Sequence, residues 1–165
     1  MYDSIMAAGK LTCRIDIGGE LTADPERLDR YEALRQKYPA SGDWIRFGYL
    51  KDFMDGTLGS ATAMMFEPFA DEPDKSGLPQ MSYEELEARV LAADSRGFQI
   101  GIHAIGPKAN NWILNAYEKA RGVNGVRDSR HRSEHAQILT EEDIPRFAGL
   151  GVIASMQPTH CITDK

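Results

Sequence analysis

Apolar and polar positions along the chain change period repeatedly, and the changes mark out alternating elements. Residues 2–8 read as the end of a helix stopped by Gly9. LTCRIDI (11–17) has the β-branched, apolar bias of a strand. DPERLDRYEALRQKY (24–38) opens on Asp-Pro and carries Leu28, Tyr31 and Leu34 at helical spacing. WIRFGYLKDFM (44–54) reads as a second strand. SYEELEARVLAADSRG (82–97) is a helix, with Ser82 as cap, Glu85 in the capping-box position and Gly97 as stop. FQIGIH (98–103) is a third strand, 108–122 a helix, and RHRSEHAQI (130–138) a fourth strand. Residues 140–151 form a helix capped by Thr140 with Asp143 in the box position, and VIASMQ (152–157) is a fifth strand.

Strand and helix alternating at this rhythm predict βαβ units and a parallel sheet, hence an α/β fold. The irregular part is the 27-residue segment 55–81, rich in glycine and proline. Connections of this kind usually take about 2–6 residues. A long loop at the carboxyl end of a parallel strand is where such folds build sites. It could instead be a disordered insert, but MMFEPF within it is too apolar to favour that. An open doubly wound sheet and a (β/α)8 TIM-type barrel compete. The only phosphate-loop signal is the Gly18-Gly19 pair, far short of GxGxxG. Polar residues at several strand ends favour the barrel. A barrel takes about 250 residues, so residues 1–165 are expected to be the central segment of one, a partial barrel lacking its first and last strands.

Composition narrows the function classes. Hydrophobic residues make up 42% and charged ones 27%, as in a soluble globular domain. A net charge of −6 argues against non-specific nucleic-acid binding, which needs clustered Lys and Arg. Neither Cys13 nor Cys161 sits in a CxxC, so a reducing, cytoplasmic setting is expected. The first residues lack the features of a signal peptide, and no run approaches the roughly 18 apolar residues of a membrane span. The chain opens in a helix already under way and stops just past a strand, as an excised piece would.

Strand ends are where chemistry is expected. Alternation places Gln99, Gly101 and His103 on one face of their strand. In the next strand it places His131, Ser133 and His135 on one face and Arg130, Arg132 and Glu134 on the other. Lys51 sits in an otherwise apolar strand, with Asp55 and Gly56 just beyond it; Gln157 and His160 follow the fifth strand. Each has an ordinary reading. A lone strand-end histidine is more often a hydrogen-bonded structural group, Lys51 can snorkel to solvent, and His131 can be merely polar between arginines. Glu134 suits an ion pair with one of those arginines better than a role as general base, and Met64, Met65 and Trp112 suit packing. Together the residues say more. His103 and His135 end consecutive parallel strands 32 positions apart, which sets two imidazoles at one sheet edge, where neutral imidazoles suit a divalent cation. Lys51 ends the preceding strand; unmodified it would repel a metal.

LKDFMDGTLGSATA, GIHAIGPKAN, RHRSEHAQ and GVIASMQPTH, in that order, resemble the amidohydrolase superfamily, in the branch similar to N-substituted formamide deformylases. The resemblance covers nearly the whole chain, from the third to the seventh barrel strand. It implies a metal-dependent hydrolase acting on an amide-like C–N bond of a small molecule, with one or two divalent ions, zinc first among them. Lys51 then matches the fourth-strand lysine that is often carbamylated, and His103 and His135 match the fifth- and sixth-strand metal histidines. Asp55 and Gly56 match the head of the loop that helps form the substrate pocket, with Gln157 and His160 also assigned to the substrate. Pro107 stands where the family usually has Asp. The first-strand HxH pair and the eighth-strand aspartate, the family's usual general base, have no counterpart in these residues.

The expectation is therefore an inactive segment of a hydrolase barrel whose open edge strands invite pairing with a second copy, giving a homo-oligomer. A non-catalytic binding or interaction module on the same scaffold is the alternative if Lys51, His103 and His135 do not converge. An open-sheet α/β enzyme without metal is a third reading, separated from the first by strand order.

Overall fold

The computed structural model describes residues 2–42 and 44–163. Five strands, β1 (Ile15–Glu20), β2 (Ile45–Phe53), β3 (Gln99–Ala104), β4 (Arg132–His135) and β5 (Ile153–Ser155), form one sheet in the order β1-β2-β3-β4-β5. Every neighbouring pair is parallel. Between them run α2 (Pro25–Lys37), α3 (Tyr83–Ser95), α4 (Pro107–Asn124) and α5 (Ile144–Leu150), with α1 (Tyr2–Ala7) and α6 (His160–Thr163) outside the sheet strands. A doubly wound sheet reverses its strand order at a switch point. Here each strand lies beside its predecessor without reversal, which is the order of a barrel wall. The open-sheet reading is thereby set aside, and the fold is a partial (β/α)8 barrel.

Local chemistry explains where the helices begin. The Asp24 carboxylate accepts the Glu26 N–H at 3.0 Å, and Pro25 occupies the first turn of α2. Ser82 accepts the Glu85 N–H at 3.2 Å; the Glu85 side chain then pairs with Arg89 one turn on instead of folding back to the cap. The last long helix starts later than its sequence suggests. The Asp143 N–H donates to Thr140 Oγ1 at 3.2 Å and the Thr140 hydroxyl to Asp143 Oδ2 at 3.0 Å, but this reciprocal pair closes a turn ahead of α5, which begins at Ile144.

The first strand is also displaced, to 15–20, so that Gly18 and Gly19 lie within it. The role of Gly19 is steric. A Cβ on Gly19 would stand 2.9 Å from the Tyr31 ring, so the bare backbone lets α2 close onto the sheet. The β1–β2 register slips between Ile17↔Phe47 and Gly19↔Leu50, which inserts one extra residue into β2. Because of that bulge Phe47 and Leu50, three apart, both join the core under the helices. Tyr49, Lys51 and Phe53 then occupy the opposite, inner face, and the register carries this face across the sheet: Lys51 beside Gly101, Gly101 beside Arg132, and His103 between Phe53 and Glu134.

The core lies between sheet and helices. Leu50, Leu86, Val90, Ile100, Ile102, Ile113 and Leu114 are fully buried there, each contributing about 1.5–3 kcal/mol of transfer free energy. Tyr31, Phe47 and Phe98 pack as an aromatic trio with centroids 5.6–6.5 Å apart. The 55–81 segment is structured: Met64 and Met81 are buried, and a Cβ on Gly106 would stand 2.1 Å from the Met64 carbonyl oxygen. Trp112 packs edge-on against Tyr83 at 5.6 Å.

Candidate metal centre

The carboxyl ends of β2, β3 and β4 meet at one edge of the inner face. His103, next to last in β3, is nearly buried. Its Nε2 lies 2.9 Å from the Gly56 carbonyl oxygen. A carbonyl only accepts, so Nε2 carries the proton and Nδ1 keeps its lone pair. Burial lowers the His103 pKa, aided by the neighbouring His135 and Lys51 and opposed by Gly56 and Asp55, so the ring is held neutral at neutral pH.

His135 reaches the same place by a route that alternation does not foresee. The strand pairing sets Arg132 and Glu134 on the face of Gly101 and His103, and His135 beside Ala104. Ser133, two positions back, points to the helix layer and donates its hydroxyl to Asn110 on α4 at 2.7 Å. Simple alternation would send His135 there too. Instead its backbone turns left-handed, with φ of +78°, followed by +44° at Ala136. This turn brings the His135 ring to 4.6 Å from that of His103. The two imidazoles therefore converge as expected, while the shared face assigned to His131, Ser133 and His135 holds only for the first two.

Lys51 lies on the inner face one residue pair below. Its ammonium donates to the Asp52 carbonyl and rests over the Phe53 ring, 3.7 Å from the centroid. Burial pulls its pKa down to about 8, against the pull of Glu134 and Asp52 in the other direction. Glu134 is committed elsewhere: Arg132 clasps it through Nε at 2.6 Å and Nη2 at 3.1 Å, and Arg132 also reaches Ser155. Burial works to raise the Glu134 pKa, but Arg132 and Ser155 override it and hold the carboxyl below its ordinary value. Glu134 Oε1 lies 2.8 Å from where a Gly101 Cβ would be, so the glycine beside His103 makes room for this carboxylate.

Asp55, assigned above to the substrate, is buried and fully engaged by backbone. Its carboxylate accepts the N–H groups of Met64 at 2.8 Å, Ile105 at 3.0 Å and Gly106 at 2.8 Å. It staples the long loop to the β3–α4 turn, and burial outweighs these bonds in raising its pKa. Gly56 presents its carbonyl to His103, and a Cβ there would stand 1.9 Å from Thr62 Oγ1. A cleft of about 510 Å3 lies beside the pair, lined among others by Phe53, Gly56, Thr57, Gln80 and His103. The His160 ring stands 5.7 Å from that of His135, which extends the imidazole pair to a row, while Gln157 is exposed. Phe53 completes that row, its ring 5.3 Å from that of His103. Its apolar character hid it among core residues; only the register shows it facing the cleft.

Whether these residues suit a cation can be judged on the donors themselves. Among the described residues no group of three or more His, Cys, Asp or Glu gathers in metal-holding geometry. The set is two imidazoles and an amine. Within it, His135 Nδ1 is buried without a hydrogen-bond partner. An orphan of this kind costs about 1–3 kcal/mol, and a ligand meeting the imidazole pair would offset it. The donors fit one side of a metal site.

The sequence pattern of the amidohydrolase family matches residues 1–165. LONG AFTER FAR-RED 3 of Arabidopsis thaliana is 44% identical over 129 residues, covering 78% of this chain and 22% of that protein. YtcJ of Bacillus subtilis (strain 168), which carries a provisional amidohydrolase name, is 35% identical over 163 residues, covering 99% of this chain and 29% of its own length. Among solved structures, an uncharacterized metal-dependent hydrolase from Pyrococcus furiosus superposes with a TM-score of 0.77 at 30% identity, covering 99% of this chain and 32% of that one. The chain thus spans less than a third of the length of these relatives.

Proposed function

The chain belongs to the amidohydrolase family, and from that premise we propose that it supplies the β3–β4 side of the metal centre of a hydrolase acting on amide-like C–N bonds. The observation that carries this reading is the convergence of His103 and His135, 4.6 Å apart, around an orphaned imidazole nitrogen. The resemblance to formamide deformylases motivates the substrate class, a small molecule with an amide-like carbonyl. His103 and His135 would hold a divalent ion, zinc foremost, and Lys51 would join them as its carbamate, a group that could bridge a second ion. Such an ion, when bound, lowers the pKa of its water to about 7 and polarises the carbonyl.

The chain's own residues do the rest. Gly56 fixes the His103 tautomer through its carbonyl, so one ring nitrogen stays available. Burial keeps a share of Lys51 as the neutral amine that carbamylation by CO2 requires. Asp55 holds the loop that walls the cleft, and Phe53 offers an apolar face to substrate. Gln157 and His160 would contact substrate from the far side.

Among the described residues Glu134, the carboxylate beside His103 on the inner face, is held by Arg132 and is not free to serve as general base. The 165-residue chain by itself should therefore be inactive, and the whole reaction would need groups this segment does not carry. We place it in the cytoplasm, in keeping with the exposed free thiol of Cys13; among the described residues no helix is long and apolar enough to cross a membrane. The test is zinc or cobalt binding by calorimetry and elemental analysis, on the chain and on His103→Ala and His135→Ala. Binding that both variants abolish supports the reading. Binding that neither weakens overturns it.

A further inference from the structure

A second polar cluster sits at the opposite end of β4 from His135. His131, immediately before that strand, is only 3% exposed. Its Nδ1 accepts the N–H of Ile100 in β3 at 3.1 Å. A ring nitrogen that accepts carries no proton, so the proton is on Nε2, which donates to Asp94 Oδ1 of α3 at 3.1 Å. Tyr117 of α4 stacks on the ring at 4.7 Å. Asp94 is anchored in turn by Arg127, through Nη2 at 2.6 Å and Nε at 3.1 Å, and by the Asn124 amide at 2.9 Å. The His131 carbonyl accepts the N–H of Ile153 at 2.8 Å, at the start of β5. One residue thus ties together β3, α3, α4 and β5.

The ladder between β3 and β4 begins one position later, at Gly101↔Arg132. The imidazole therefore takes the place of a backbone acceptor just where pairing starts. This matters because β4 has only four residues, so few ladder bonds of its own define its register. A slip of one residue would move the ring by about 3.3 Å. Both of its hydrogen bonds would break and every β4 side chain would change face. Register also decides which residue stands at the left-handed turn that ends β4, and so which ring that turn carries toward His103.

We infer that His131 is a positioning residue: by bridging Ile100 and Asp94 in a single imidazole tautomer, it sets the β3–β4 register that delivers His135 to His103. The inference stands on the geometry of the imidazole pair, whatever that pair binds, and so does not depend on the metal reading.

The experiment is solution NMR on the full chain at pH 8, comparing wild type with His131→Phe and His131→Asn. Phenylalanine keeps the ring on Tyr117 and loses both hydrogen bonds; asparagine keeps an acceptor near the position of Nδ1. In wild type, a through-bond coupling from the Ile100 amide to His131 Nδ1 and a neutral Nε2–H tautomer are expected. In His131→Phe, the Ile100 amide should exchange at least about tenfold faster, and the cross-relaxation between the His103 and His135 rings should be lost, at a temperature where the far-ultraviolet spectrum still matches wild type. His131→Asn should restore both. A purely packing role for His131 would lower the melting temperature and leave the ring contact of His103 and His135 unchanged, which would overturn the inference. Absence of the coupling in wild type would overturn it too, even if no variant folds.

Discussion

The His135 ring stands 4.6 Å from that of His103, although the strand ladder places His135 beside Ala104. The discrepancy is resolved by left-handed backbone at His135 and Ala136, with φ of +78° and +44°. Non-glycine residues in that region cost of order 1–3 kcal/mol each. This cost and the orphaned His135 Nδ1 both count against stability, as the ligand role proposed for the pair requires.

Stability and binding should therefore separate at this pair. His135→Ala removes an unsatisfied buried nitrogen, so its unfolding free energy should fall by less than about 1 kcal/mol or rise. His103→Ala loses the Gly56 bond and the packing against Phe53, and should fall by about 1–2 kcal/mol. Both should weaken zinc binding by at least about tenfold, within the range seen when ligands or their supports are removed. Calorimetric titration and urea unfolding of the two variants check this.

Lys51 carries a pH signature. Its folded-state pKa, about 8 against an ordinary 10.5, lies lower because burial penalises the ammonium. Between those values the unfolded chain binds more protons than the folded one, so stability should rise as pH climbs from about 8 to 10.5. Lys51→Met should lack that rise and be more stable than wild type at pH 7, by about 1–3 kcal/mol. Urea titrations at pH 7 and pH 10 measure the gap, which should close at the higher value. Under labelled bicarbonate, the same variant should lose any 13C carbamate signal seen in wild type.

Acid should act on the Asp94–His131 pair. Burial lowers the His131 pKa despite its bond to Asp94. Burial pushes Asp94 the other way, but bonds from His131, Asn124 and Arg127 prevail and hold it at about 2. Both groups bind fewer protons folded than unfolded. Stability should fall first as pH drops below about 6.5, from His131, and again below about 3.8, from Asp94. Thermal melts from pH 8 to pH 3 should show both steps, and His131→Phe should shrink the first to the share that His103, whose pKa burial also lowers, supplies.

The Asp55 staple predicts a loop phenotype. In Asp55→Asn one carboxylate oxygen becomes an NH2 group facing backbone donors, among the N–H groups of Met64, Ile105 and Gly106. A loss of about 2–4 kcal/mol is expected, since charge-assisted bonds are broken and a donor is left facing donors. Limited proteolysis should then cut within 56–80 faster than elsewhere, with cleavage sites read by mass spectrometry.

The sheet edges predict association. Among the described residues β1 and β5 each lack a strand on their outer side, and open edges template pairing. We propose that isolated chains pair through them into homo-oligomers. Sedimentation velocity should show a concentration-dependent species larger than the monomer, and a single monomeric boundary at all concentrations would rule this out.

Much of this was legible in the residues. Ser82 and Asp24 announced their helices because a cap acts within three residues, and the alternation in FQIGIH announced a strand with His103 and Gly101 on one face. The parallel sense followed from the βαβ rhythm, while strand order was left to the structure, and the family motifs pointed to Lys51, His103 and His135. Where the reading slipped, a distant contact was responsible. Gly18 and Gly19 read as a weak phosphate-loop signal after a strand over 11–17, yet they lie inside β1, where Gly19 leaves space for Tyr31. Asp55 lines the cleft, as its place at the head of the loop suggests, but that three N–H groups up to 51 positions away claim its carboxylate could not be read from spacing.

By itself, then, the sequence determined the elements, their parallel sense and the two histidines toward the ends of β3 and β4, because periodicity and capping are local and written in neighbouring residues. Tertiary structure alone decided that β2 carries a bulge, that Arg132 and Glu134 share the inner face with Lys51, and that His135 turns back toward His103. Those outcomes depend on register and on backbone conformations held by contacts far away in the chain, and no spacing of residue types encodes them.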